Sequence, residues 1–308
     1  MQQIARKATL TTKQLETALA SFRLGKCKKI TYLRTGVINA NYVVSTDRGR
    51  FIVRSYTFKA RSEVESEVFL LTALRRKGFP CPEPVGSVVT IGGNPVCCFR
   101  YIEGRTMQHV TRGSSRRIAK LLARMHLLTE DMRLPFRREG EGVAVIRRYV
   151  KTKKRFILKS RFKGRAAFIR FLERELAGIR IPAGLPRGVI HADVKSENIV
   201  GPRRHLSFID FDNAYVDAFV IDIGYAISWL CLNTESLDVR KVREFVKAYE
   251  LVRRLAPEER SALPTVIRFV LLKHAFKYAY VFLRRLRFAE RKAYHFIQMY
   301  HNASFKKF

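Results

Sequence analysis

Two short apolar runs, each leading into acidic and amide side chains, constrain this chain more than any other feature. Val189-Ile190 opens into His191-Ala-Asp193-Val-Lys-Ser-Glu-Asn198-Ile-Val200. Leu206-Ser-Phe-Ile209 opens into Asp210-Phe-Asp212. Apolar runs this short, bounded by polar residues, read as buried strands. A fold that honours them presents Asp193, Asn198 and Asp210 at strand ends, side by side. His191 then braces the loop by hydrogen bonding.

The surrounding pattern predicts an α+β chain of two lobes. Leu15, Leu19 and Phe22 recur at helical spacing, so 11–24 reads as a helix closed by Gly25. Residues 30–33, 41–46 and 50–56 read as strands, with Asp47-Arg-Gly49 turning the last two into a hairpin. A helix over 62–77 carries its apolar stripe on Val64, Val68, Leu71 and Leu74 and stops at Gly78. Pro80, Pro82 and Pro84 predict an extended linker, and Gly92-Gly93 a second hairpin between 87–90 and 95–101. Beyond Gly104 the pattern is mostly helical, beginning with 114–129. The expected division is a nucleotide-binding lobe over 1–102 and a catalytic, acceptor-binding lobe over 103–308. A ligand cleft belongs between them.

Composition narrows the classes further. The 308 residues are 47% hydrophobic and 28% charged, which is the balance of a chain with a real core. Five cysteines, an odd number without C-x-x-C spacing, argue against zinc and a disulfide framework. They suit a reducing, cytoplasmic compartment. The longest apolar candidate, 216–232, contains Asp217 and Asp222 and reads as core rather than membrane span. Arg6, Lys7 and Lys13 echo a transit peptide, but the helical spacing that follows favours a folded first helix.

The unusual quantity is charge: 60 Lys+Arg against 26 Asp+Glu, a net +34. That balance admits nucleic acid or an anionic surface as a partner. Its densest stretch, 147–174, holds twelve Lys/Arg and only Glu173 of opposite sign, with Tyr149, Phe156, Phe162, Phe168 and Phe171 interleaved. The favoured reading is an amphipathic helix pair with core aromatics and solvated cations. Nothing in the pattern specifies an oligomer.

The spacing H-x-D-x-x-x-x-N, followed by Asp-Phe after a short hairpin, is that of a kinase catalytic loop and its metal-binding partner. Phosphoryl transfer needs an aligned hydroxyl and neutralisation of phosphate oxygens. Asp193 fits the first need by taking or orienting the hydroxyl proton. Asn198 and Asp210 supply hard oxygens for Mg²⁺ beside ATP. Arg54, in Phe-Ile-Val-Arg, stands where a strand cation contacts the α/β-phosphates, and Glu67 is the candidate to orient it, with Glu63 and Glu65 as rivals. Gly36, Asn39 and Asn41 lie in a loop between strands that suits phosphate, although it lacks a G-x-G-x-x-G pattern.

These residues resemble the aminoglycoside phosphotransferase/choline kinase superfamily, most closely its type II homoserine kinases. The likeness runs through Gly36-Val-Ile-Asn39-Ala-Asn41-Tyr42, Gly78-Phe-Pro80-Cys-Pro82, Leu121-Leu-Ala-Arg-Met-His126, Leu185-Pro-Arg-Gly-Val-Ile-His191-Ala-Asp193 and Arg253-Arg-Leu-Ala-Pro-Glu-Glu-Arg-Ser-Ala-Leu263. The resemblance implies a bilobal protein-kinase-like fold, ATP and Mg²⁺, and L-homoserine as the acceptor. It puts the catalytic Asp on Asp193, the metal ligands on Asn198 and Asp210, and the acceptor beside the catalytic loop.

Departures bear on the acceptor. Val-Lys-Ser-Glu follows Asp193, and Asp212 adds a carboxylate that would suit a cationic amine such as choline, ethanolamine or an aminoglycoside. Asp212 and Tyr42 are therefore the expected acceptor contacts. A non-catalytic kinase-like protein that binds nucleic acid or membrane through its basic surface is a third reading. The intact Asp193, Asn198 and Asp210 oppose it.

Overall fold

Alternating burial along 40–55 builds the hairpin at the centre of the first lobe. The computed structural model describes residues 9–34, 38–136, 139–201, 205–232 and 236–303. Strands β1 (Cys27–Leu33), β2 (Ala40–Thr46), β3 (Gly49–Ser55), β4 (Pro84–Ile91) and β5 (Asn94–Arg100) form an antiparallel sheet in the order β1-β2-β3-β5-β4. Thr46 pairs with Gly49 across the Asp47-Arg48 turn, where Gly49 takes φ +125. The other hairpin turns at Gly92 (φ +59) and Gly93 (φ +78), values that favour glycine.

Helices α1 (Thr12–Ser21) and α2 (Arg61–Arg76) cover the sheet. Thr11 and Gln14 close a capping box on α1, a device worth about 1 kcal/mol. α1 ends three residues before the expected Leu24, because Arg23 takes φ +51. Arg23 N–H then donates to Ala20 O and Leu24 N–H to Leu19 O, a Schellman closure. Gly25 instead makes room for Asp47, whose carboxylate accepts from Lys26 N–H at 2.8 Å. α2 closes the same way at Gly78, with Phe79 N–H on Leu74 O.

Pro84 corrects the expected linker. It opens β4, which lies at the sheet edge, where a missing N–H costs no ladder bond. Pro80 O accepts from Phe208 N–H, so the segment before β4 is tied to the second lobe.

The second lobe is helical, with α3 (Arg112–Thr129), α4 (Val143–Leu158), α5 (Arg165–Gly178), α6 (Phe219–Leu230), α7 (Val239–Glu250), α8 (Pro257–Val281) and α9 (Leu286–Asn302) among the described residues. Between α5 and α6 lie two small antiparallel ladders. β6 (Arg187–Ile190) pairs with β9 (Tyr215–Ala218), and β7 (Ile199–Val200) with β8 (Ser207–Phe208). α6 is buried on nearly every side and packs so closely on α8 that a Cβ on Gly224 would sit 2.7 Å from Val266. Among the described residues no helix is long and apolar enough to cross a membrane.

Two cores result. One lies between α1 and the outer face of the sheet, around Tyr42, Val44, Phe51, Val53 and Val96. The larger one joins the inner-face residues Cys97 and Phe99 and the helix α2 to the whole second lobe. The lobes therefore share packed apolar surface behind the cleft. The basic stretch 147–174 falls on α4, α5 and their connection. Phe162 and Phe168 are buried, Tyr149 and Phe171 partly so, and Phe156 is exposed.

Candidate active site

The β7–β8 hairpin brings the two acidic loops together. Ile209 N–H donates to Asn198 O at 2.9 Å, and the His191 ring donates through Nε2 to Ile209 O at 3.1 Å. That carbonyl can only accept, which fixes the proton on Nε2. Phe208 and Phe211 pack against the same ring. Asn198 Nδ2 donates to Asp193 Oδ2 and to Asp193 O, both at 2.9 Å. With its amide nitrogen so used, Asn198 has its carbonyl oxygen left for a cation.

Two residues of this region take left-handed backbone: Ala192 (φ +62) and Asp210 (φ +69). Such conformations persist where surrounding bonds over-determine them. For Ala192 the restraint is Asp222, fully buried at the start of α6. Its carboxylate accepts from His191 N–H (2.7 Å) and Ala192 N–H (2.9 Å). His126 Nε2 meets Asp222 at 3.2 Å, and Tyr249 lies 2.6 Å from His126 Nδ1. Arg253 donates to Tyr249 and is held by buried Glu259 through two bonds of 3.1 Å. The donor directions are consistent along the whole chain: Arg253 to Tyr249, Tyr249 to His126, His126 to Asp222.

From the sheet, Arg54 reaches Asp210. Nη1 lies 2.9 Å from Asp210 Oδ1 and 3.8 Å from Glu67 Oε1, while Nε donates to Asn41 Oδ1 at 2.8 Å. Glu67 is thus the glutamate beside Arg54. Glu63 instead caps α2 through Ala60 N–H and meets Lys59, and Glu65 pairs with exposed Arg61. Burial pushes the Glu67 carboxyl up to about 7 against the pull of Arg54, and Tyr56 donates to it at 3.0 Å.

Two expectations from the sequence change. Tyr42 faces the outer core, because alternation along β2 sends Asn41 to the cleft and Tyr42 to α1. Its hydroxyl meets Leu10 N–H at 2.7 Å. Asp212 does not face the acceptor side: it accepts from Asn39 (2.9 Å) and Asn213 (2.7 Å) beside α2, and Lys59 donates to its backbone carbonyl. Asn39 Nδ2 donates to Asp212, and Asn41 Oδ1 accepts from Arg54, which leaves the Asn41 amide N–H groups for a phosphate. Gly36 lies outside the described residues.

The sequence reading passed over Lys195, whose Nζ sits 2.6 Å from Asp193 Oδ2. A cation two residues from a catalytic acid was its available signal. Asp222 and His126 were also passed over. Asp222 was legible only as a charge within an apolar run.

Asp210 and Asn198 fit a magnesium ion in the chemistry of their donors. Arg54 engages one Asp210 oxygen and leaves the other. Among the described residues no group of three His, Cys, Asp or Glu could cage a metal alone. Such a pair suits a hard cation completed by phosphate oxygens.

The architecture has solved counterparts. An amicoumacin kinase, hAmiN, solved with AMP-PNP, Ca²⁺ and amicoumacin, superposes with a TM-score of 0.72 at 15% identity, over 96% of this chain and 97% of its own. Choline kinase from Cryptosporidium parvum gives 0.64 at 14% identity, over 92% and 94%. The fold is that of the two-lobed, protein-kinase-like proteins. By sequence, a homoserine kinase of Beijerinckia indica is 30% identical over 273 residues, 85% of this chain and 83% of its own. One from Methylobacillus flagellatus is 28% identical over 86% and 83%. The chain belongs to the phosphotransferase enzyme family (APH), whose profile matches residues 29–262. It is an ATP-dependent small-molecule kinase that acts on a hydroxyl group.

Proposed function

We propose that the acceptor is L-homoserine and the product O-phosphohomoserine, with Mg²⁺ as the accompanying ion. The observation that carries the site assignment is the convergence of Asp193, Asn198 and Asp210 through the β7–β8 hairpin. The named relatives, which match this chain over most of their length, support the acceptor.

In this reading the first lobe, 1–102, takes the nucleotide and the second, 103–308, the acceptor. Asp193 orients the acceptor hydroxyl and receives its proton. The new bond forms between that oxygen and the γ-phosphorus as the bond to the ADP oxygen breaks. Lys195, paired with Asp193, stands beside the reacting atoms and offers positive charge to the transferring group. Arg54 contacts the phosphates, held in place by Asn41 and Glu67. Asn198 and Asp210 would hold the metal, which when bound neutralises phosphate oxygens. His191 and Asp222 bind nothing that reacts; they fix the loop.

The cationic-amine reading drew its support from Asp212, and that carboxylate is occupied beside α2. The test is ATP consumption by purified protein over homoserine, choline, ethanolamine and aminoglycosides. Homoserine is expected to give the highest kcat/KM. Faster turnover of an amine lacking a carboxylate would overturn the acceptor.

A further inference from the structure

Of the two left-handed residues in the acidic loops, Ala192 is restrained within its own lobe, by Asp222. Asp210 (φ +69) is held from both lobes. Before it, Ile209 N–H donates to Asn198 O within the second lobe. After it, a single 3₁₀ turn, Phe211–Asn213, meets groups of the first lobe. Asn39 Nδ2 donates to Asp212 Oδ2 at 2.9 Å, and Lys59 Nζ donates to the Asp212 backbone oxygen at 2.6 Å. Arg54 reaches Asp210 itself. Asn39 and Lys59 arrive on one frame. They flank the open end of the β2–β3 hairpin, where Ala40 pairs with Ser55 and Thr57 Oγ1 donates to Ile38 O at 2.8 Å. Glu63 of α2, 3.5 Å away, steadies the Lys59 ammonium.

Nothing in the phosphoryl-transfer chemistry above uses Asp212, Asn39 or Lys59, yet the contact is costly to keep. Asn39 is 6% exposed, and its amide oxygen is buried without a hydrogen-bond partner among the described residues. An unmet acceptor of this kind costs about 1–3 kcal/mol. An apolar side chain of similar size would avoid that cost. Buried polar atoms are ordinarily satisfied, so such an exception calls for a use. The use available is the bond from Nδ2, which crosses from one lobe to the other. The second Asp212 oxygen accepts from Asn213 Nδ2 at 2.7 Å, so both carboxylate oxygens are engaged. With its carboxylate and its carbonyl both held, Asp212 fixes the turn. The turn in turn sets the direction in which Asp210, two residues earlier, presents its side chain.

We infer that Asp212 is a positioning residue for the metal-binding carboxylate: Asn39 and Lys59 clasp the Phe211–Asn213 turn from the first lobe and thereby aim Asp210. The inference rests on the reading that gives Asp210 to the metal, and deepens it. A ligand group already in place gives up less freedom when the ion arrives, so the clasp raises metal-dependent affinity without touching the ion. Because the clasp joins the two lobes, it also links their approach to the binding of metal and nucleotide. Whatever weakens the clasp weakens that binding, and the binding strengthens the clasp by the same factor.

The test measures the affinity of the full chain for AMP-PNP by calorimetry, once with excess Mg²⁺ and once with EDTA. The ratio of the two Kd values is the metal-dependent gain. Asn39→Leu removes the bond to Asp212 with little change of size and no change of charge. The gain is expected to fall by about 10-fold, the lower end for one hydrogen bond to a charged group. Affinity in EDTA should stay near wild type. Tm should change little, because the unmet amide oxygen leaves together with the bond. A merely structural role for Asn39 would lower Tm and spare the gain. The double variant Asn39→Asp with Asp212→Asn keeps the charge and restores the bond with its direction reversed, while the Asp212→Asn oxygen still accepts from Asn213. It should recover the wild-type gain. Lys59→Met removes the ammonium and keeps the stem; it should lower the gain by a smaller factor and serves as a second readout if Asn39→Leu folds poorly. Asp210→Asn tests the reading beneath. A wild type that gains nothing from Mg²⁺, or a gain intact in Asp210→Asn, would sink the metal role of Asp210 and the clasp with it. A gain lost in Asp210→Asn but kept in both Asn39→Leu and Lys59→Met would overturn the clasp alone.

Discussion

Asp193 makes three contacts with two partners, and each limits what a substitution there can do. Lys195 and Asn198 hold its carboxylate from one side, and its backbone oxygen accepts from Asn198 as well. Asn at this position keeps the shape and the hydrogen-bonding capacity of one oxygen but cannot take a proton. Positioned acid–base groups contribute about 10²- to 10⁴-fold in rate, so Asp193→Asn should lower kcat by that order. Nucleotide affinity should persist, because the reading proposed above assigns the nucleotide to Arg54 and Asp210, and Arg54 pairs with Asp210 rather than with Asp193. Steady-state kinetics beside nucleotide titration would decide it, and near-normal turnover would remove Asp193 from the role. Lys195 adds a point the motif alone could not make. Its ammonium lies close enough to Asp193 to balance the charge of an acid that has little water around it.

At the scale of elements, the catalytic loop is held from behind by buried side chains of four helices and the turn between two of them. α6 supplies Asp222, α3 supplies His126, α7 supplies Tyr249, and Arg253 and Glu259 bind the start of α8 into the same chain of hydrogen bonds. His126→Leu leaves Asp222 and Tyr249 short of a partner inside the core, a loss of about 1–3 kcal/mol. His126→Gln keeps a donor toward Asp222 and should recover much of that loss and of kcat. A pH readout separates the imidazole from mere packing. Burial, opposed by the hydrogen bond and charge of Asp222, holds His126 below the usual histidine value of about 6.5. The unfolded chain takes up that proton below about 6.5 and the folded chain does not. The contribution is therefore complete above that pH and is lost as pH falls. Glu67, raised to about 7, runs the other way and weakens the fold as pH rises through its range. The fall in Tm from pH 7.5 to 5.5 should thus be smaller in His126→Gln than in wild type, while the Glu67 part is common to both. An identical fall would exclude His126 from the network's titration.

The same elements show why some of the structure could be read in advance. The hairpins, α2 with its Gly78 stop, and the two acidic loops follow from local periodicity and turn chemistry, which act over a few residues. Tyr42 and Asp212 were misplaced because one depends on the phase of β2 within the sheet and the other on which loop of the opposite lobe it meets. Asp222 needed the fold itself, since its partners come from residues 126, 191 and 192.

For the whole molecule the open quantity is charge. A net +34 would draw any polyanion, and ATP is one. Whether that field matters for turnover depends on where the cations stand and which step is slow. The densest cluster rides on α4 and α5, whose apolar sides pack inward on Ile146, Val150, Phe168 and Leu172. Lys151 is exposed, and Lys154 is paired at 2.7 Å with Glu173, both more than a third exposed, so the pair is worth no more than about 1 kcal/mol. At ionic strengths near 0.15 M the field of such groups fades over about 8 Å. Arg54, the cation proposed to meet the phosphates, belongs to the sheet instead. Electrostatic steering raises encounter rates, and it shows in kcat/KM only for an enzyme working near the diffusion limit. Reversing Lys151, Lys153 and Lys154 to Glu removes two units of charge per residue from this face. We expect kcat and the KM values for ATP and homoserine to stay within about 2-fold of wild type, with a small loss of Tm from the severed Glu173 pair. A KM for ATP raised 10-fold or more at low salt, with the difference from wild type shrinking at high salt, would show instead that the basic helices gather the anionic substrate before the cleft receives it.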